Sequence, residues 1–201
     1  MQLRAPAIVC SSRPHGETAA IARLLTADHG IVAGYVAGGR GRQMRPVLIP
    51  GNSVEAELRA RSASQLPFAK LELVQSRGPW LTEPLPAAAI AWVTALTSSA
   101  LPERQPFPAL YGALAGLLNA ICFAPSARDW AMPLLSYETL LLRELGYGGP
   151  QHAPKEDDWQ ATLHALDAMG RRLDRYLLAD RRGDVIAARG LLRERLGRIE
   201  G

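Results

Sequence analysis

The chain has 201 residues, 48% of them apolar and 21% charged, enough to bury a core in one large or two small domains and too apolar for a disordered chain. Its formal net charge of +4 is unevenly placed: residues 1–80 carry Arg4, Arg13, Arg23, Arg40, Arg42, Arg45, Arg59, Arg61, Lys70 and Arg77 against Glu17, Asp28, Glu55, Glu57 and Glu72, while the remainder is nearly balanced. That excess suggests a polyanionic partner, although a GC-rich genome also explains why the chain has only two lysines.

The opening MQLRAPAIVCSSRPHGE lacks the long apolar run of a secretory signal, and Arg23, Arg104, Arg128 and Arg143 interrupt every stretch approaching the roughly 20 apolar residues of a membrane helix. A soluble, cytoplasmic protein is expected. APAIVCSS predicts a strand ended by Pro14 and Gly16. GETAAIARLLT fits helix or strand by periodicity; the Asp28-His29-Gly30 turn and the β-type run IVAGYVAG after it favour a hairpin. RPVLIPGNSVEAELRAR and LPFAKLELVQSR alternate as further strands. Five short strands over about 80 residues suggest a small OB-fold barrel.

After Trp80 the texture turns helical. LPAAAIAWVTALTSSAL, PFPALYGALAGLLNAI and MPLLSYETLLLRELG read as core helices separated by proline-rich joints at 102–108 and 125–133. Asp157 or Asp158 caps a helix whose Trp159, Leu163, Leu166, Met169, Leu173 and Leu177 form a packing stripe. Asp184 caps the last helix, with Ile186, Leu192, Leu196 and Ile199 inward; its arginines 189, 193, 195 and 198 fit either a solvated face or a nucleic-acid contact.

Few residues suggest catalysis. GGRGR has no P-loop lysine and precedes a predicted strand rather than a helix, and no GxSxG or HExxH occurs. Cys10 and Cys122 sit in separate apolar runs and read as buried thiols; His15, His29, His152 and His164 lack ligand spacing, and Glu156-Asp157-Asp158 reads better as a helix start than as a cation site. No enzyme, cofactor or metal is expected. The basic glycine-rich loop VAGGRGRQMRP (36–46) offers forked donors to phosphates and equally fits an exposed loop of solvated arginines. Tyr35, Phe68 and Trp80 are the aromatics nearby, so binding would be mostly electrostatic and sequence-blind.

RPHGETAAIARLLTADHGIVAGYVAGGRGRQMR (13–45), with its GE turn, LLT…HG hairpin and basic loop, and SYETLLLRELGYG (136–148), with its LL…LGY ending, resemble the RecO family of bacterial repair mediators. The resemblance implies an amino-terminal OB-fold joined to a helical domain. It also implies binding and annealing of single- and double-stranded DNA in the nucleoid. RecR would be a partner, RecA an indirect one, and the tail of single-strand-binding protein would dock on the helical part. One departure is clear: the four-cysteine zinc module that many relatives carry after LGY has no counterpart in GGPQHAPKEDDW.

The expectation is therefore an α+β chain, with a five-stranded OB-fold barrel over 1–80 that binds nucleic acid and an all-α domain over 81–201. Arg13, Arg40, Arg42 and Arg45 are the preferred phosphate contacts, followed by Arg59 and Arg61. The alternative is an interaction adaptor whose barrel charge is incidental.

Overall fold

The computed structural model describes residues 2–62, 65–149, 158–179 and 183–199. His152, Glu156 and Asp157 lie outside them. The strands β1 (Gln2–His15), β2 (Ala19–Thr26), β3 (Gly30–Val36), β4 (Ser53–Arg59) and β5 (Phe68–Gln75) close a barrel in the order β1-β2-β3-β5-β4, the OB-fold expected. The alanines of β2 do not make it a helix. Ala20 and Ala22 point into the barrel with Ala7, Ala56 and Ala69, where a five-stranded interior has room for few large side chains. The parallel β3–β5 seam rests on the pair Tyr35↔Phe68. Gly34 permits it, since a Cβ there would lie 2.7 Å from the Ala69 Cβ.

Two expectations about strands need correction. β1 runs through Pro14 to His15, because its first half pairs with β4 and its second with β2. Each half is thus an edge on its other side, which accommodates Pro6 and Pro14. RPVLIPGN is not strand. Residues 41–48 coil helically, with Arg45 and Leu48 donating to the carbonyls of Gly41 (3.0 Å) and Met44 (3.0 Å). The Asn52 amide pins this coil by donating to the carbonyls of Pro46 (2.7 Å) and Val47 (3.1 Å). Leu48 enters the barrel core, flanked by Met44 and Val47.

The helical part contains α1 (Pro84–Ala100), α2 (Pro108–Phe123), α3 (Ala127–Glu144), α4 (Trp159–Leu173) and α5 (Gly183–Gly197). The joint expected at 125–133 is shorter: Ser126 and Asp129 form a capping box, so α3 starts at Ala127 and runs through Pro133. Asp158 caps α4, accepting from the Ala161 amide at 2.8 Å. A π-helical turn over Asp174–Leu178 follows α4. Its wider turn moves the buried position from the expected Leu177 to Leu178. Asp184 sits inside the first turn of α5 rather than before it, and Val185 is buried where Ile186 was expected.

Barrel and helices share a core. Ile8, Cys10, Leu25 and Ile31 point outward from β1, β2 and β3 and join the helical cluster, with α1 against β1. Part of the helices' apolar surface is covered here. Beside this junction lies the buried Arg77, whose Nη2 donates to Asn119 Oδ1 (2.6 Å) and Gln75 Oε1 (3.1 Å), tying β5 to α2.

Candidate nucleic-acid interface

Strand alternation decides which side chains the barrel shows to solvent. Val36, Leu58 and Ala69 face inward, so their neighbours Tyr35, Arg59 and Phe68 face out. The bulge between Val9 and Ser11 shifts the phase of β1, putting Ser11 outward, where its hydroxyl lies 3.0 Å from Ser98 Oγ on α1. Arg13 and His15 share that phase.

The register then aligns a belt. Arg13 faces Ile21, Ile21 faces Tyr35, Tyr35 faces Phe68, Phe68 faces Arg59, and Arg59 faces Gln2. Four strand spacings of ~4.8 Å separate Arg13 from Arg59, an arc of roughly 20 Å. The Tyr35 ring meets Phe68 edge-on at 5.1 Å and His15 at 5.9 Å, while Phe68 stays 65% exposed. Two isolated aromatics and a histidine, far apart in sequence, form one row flanked by guanidinium groups.

Beyond Phe68 the belt opens into a cleft of about 870 Å³ lined by Gln2, Arg59, Arg61, Gln65 and Leu66. Arg59 donates to Glu57 Oε1 at 2.7 Å, whereas Arg61 makes no hydrogen bond or ion pair among the described residues. At the other end Arg13 lines a cleft of about 600 Å³ between the barrel and Ser98, Leu101 and Asp184.

The arginines of the glycine-rich loop lie off the strands, on the turn after β3 and the coil that plugs the barrel. Arg40 is a clip: its amide donates to Thr18 O (2.9 Å), and its Nη1 donates to Gly16 O (3.1 Å) and Glu17 O (2.9 Å). It therefore holds the β1–β2 turn that carries His15. Gly39 packs where a Cβ would meet the Ala20 Cβ at 2.6 Å, so this position admits no side chain. Arg42 and Arg45 are exposed.

Ionisable groups elsewhere are built into the core. Burial pushes the Cys10 thiol up to about 12 and also raises Cys122, so neither offers a ready thiolate. Among the described residues no three His, Cys, Asp or Glu side chains converge as metal ligands, and the residues after Tyr147 do not fit a tetracysteine zinc site. Sequence reasoning missed Glu138. It is fully buried, accepts from Trp92 Nε1 at 2.7 Å, and faces the Arg189 guanidinium at 3.7 Å. Arg189, read as a solvated or DNA-touching residue, is instead inside; it also donates to Leu166 O at 2.7 Å and lies over the Trp92 ring. No helix among the described residues is long and apolar enough to cross a membrane.

The family description "Recombination protein O N terminal" matches residues 1–77, and "Recombination protein O C terminal" matches 83–151. The DNA repair protein RecO of Rhodospirillum centenum is 48% identical over 143 residues, covering 71% of this chain and 56% of that protein. Those of Gluconacetobacter diazotrophicus and Phenylobacterium zucineum are 38% and 39% identical over 151 and 150 residues, covering 74% of this chain and 59% and 60% of theirs. The matches thus span less than two thirds of these relatives' length.

Proposed function

Since the chain belongs to the RecO family of DNA repair proteins, we propose that it binds single- and double-stranded DNA on the outer belt of its barrel and anneals complementary strands. It would do so without catalysing a reaction. With RecR, it would help load RecA onto DNA covered by single-strand-binding protein. The observation that carries this reading is the alignment of Arg13, Tyr35, Phe68 and Arg59 across the strands. Aromatic faces accept any base, and guanidinium groups at both ends neutralise the phosphates between which the bases are splayed. On this reading Arg42 and Arg45 extend the basic surface, while Arg40 supports it by fixing the turn. Leu81 and Phe123, exposed beside Trp80, are where the tail of single-strand-binding protein would dock.

Fluorescence anisotropy with labelled single-stranded DNA at several salt concentrations tests the proposal. Arg13→Ala with Arg59→Ala should flatten the plot of log affinity against log salt by about 1.4, at roughly 0.7 per phosphate contact. Phe68→Ala should cost ~1–3 kcal/mol of binding with little loss of stability, since the ring is largely exposed. Unchanged affinity and slope in all these folded variants would move the DNA elsewhere. A wild-type protein that binds no DNA at low salt would leave the adaptor reading.

A further inference from the structure

The end of α3 and the π-helical turn after α4 bring a second aromatic and basic cluster to the surface. Tyr147 and Tyr176 stack with ring centroids 5.1 Å apart and planes 19° from parallel. Stacked tyrosines are ordinarily a way to bury rings, yet these remain 41% and 39% exposed. Two guanidinium groups border them, and the stem of a third arginine lies close by. Arg175 lies over the Tyr176 ring at 5.3 Å. Arg172 donates to Tyr147 O at 3.1 Å, and Gly148 packs beside the Arg143 stem. Among the described residues, the acids next to these groups in sequence are Glu144, which faces Arg143 at 3.6 Å, and Asp174. The π turn is what brings Tyr176 to this place, because its register differs from that of a continued α-helix; such turns recur at functional positions. Tyr147 lies near the end of the family-matched region, which runs to residue 151, and Tyr176 lies beyond it.

We infer that Tyr147 and Tyr176, with Arg143, Arg172 and Arg175, form a second site for single-stranded nucleic acid, distinct from the barrel belt. A base extends the existing stack, and the arginines take the flanking phosphates. This rests on the proposed function and deepens it. A chain that holds one strand on its barrel and another here could bring two strands together, with cations at each site screening their repulsion.

The test uses the full chain and an oligothymidylate of about 12 nucleotides, within the range one OB-fold covers, carrying iododeoxyuridine for photocrosslinking. The wild-type chain should bind two strands, with crosslinks at Tyr147 or Tyr176 as well as on the barrel. Tyr147→Ala with Tyr176→Ala should bind one strand, crosslink only on the barrel, and anneal complementary strands at least about fivefold more slowly. Tyr147→Phe with Tyr176→Phe keeps the rings and should behave as wild type, which separates stacking from a folding defect. One strand per wild-type chain, with no crosslink in the peptides bearing either tyrosine, overturns this inference and leaves the barrel reading intact. Crosslinks confined to the tyrosines would instead overturn the barrel reading and uphold this one. No bound strand at all would overturn both.

Discussion

Glu138 shows how one buried residue organises its neighbours. Its carboxylate satisfies the Trp92 N–H and faces Arg189, so Glu138→Ala leaves a buried donor and a poorly solvated cation behind. It should cost about 3 kcal/mol, read from urea midpoints. Glu138→Gln keeps an acceptor for Trp92 and should cost much less. Burial raises this carboxyl above the usual glutamate range, opposed by Arg189 and the Trp92 hydrogen bond. The folded state therefore holds the proton more tightly than the unfolded chain. That share of stability is present in acid and is lost as pH rises from the ordinary glutamate value through the raised one. The stability of Glu138→Gln relative to wild type should accordingly improve across that window; a gap independent of pH would show that Glu138 does not titrate there.

Among the elements, α5 is held both by apolar packing and by arginines that reach its neighbours. Few of its side chains are buried, chiefly Val185, Leu192 and Leu196, so a hydrophobic stripe alone holds it weakly. Two arginines add what the stripe lacks. Arg189 reaches α3 and α4, and Arg193 grips Asp167 of α4 through two hydrogen bonds of 2.6 and 2.9 Å. Those bonds, above all, pull the Asp167 carboxyl below its usual range, against a smaller opposing effect of burial. The contribution of this pair is present above the ordinary aspartate value and fades as pH falls through the lowered one. Arg189→Ala with Arg193→Ala should speed amide exchange across 183–197 while leaving the barrel strands protected. Uniform exchange over the whole chain would mean that α5 does not open on its own.

At the scale of the molecule, the barrel and the helices stabilise each other. Ile8, Cys10, Leu25 and Ile31 lie outside the barrel yet are buried by the helical part. A barrel cut at residue 80 would expose them together and should self-associate. In the full chain, Leu25→Ala should cost ~2–5 kcal/mol and lower the melting of strands and helices together, as one transition followed by circular dichroism. Two separated transitions would show that the halves fold independently.

Local patterns determined much of this protein. Turn signals and alternation mark β2, β3 and β5, capping residues and apolar runs mark the helices, and the charge asymmetry marks the basic half; ordered motifs carry the family resemblance. These are short-range properties that neighbouring residues impose on one another. The sequence misled where a long-range contact overrode the local pattern. Leu48 turns into the barrel and Asn52 holds RPVLIP in a coil, although that stretch alternates like a strand. Arg189 sits in a helix face that reads as solvated, yet Glu138, 51 positions earlier in the chain, the Leu166 carbonyl and the Trp92 ring draw it inside. The candidate site belongs to the same class. Arg13, Tyr35, Phe68 and Arg59 lie on four strands, and no spacing between them along the chain announces that they are neighbours. Barrel closure and a one-residue bulge in β1 set the register that aligns them, because a shift of one residue in a strand would turn each of its side chains to the opposite face.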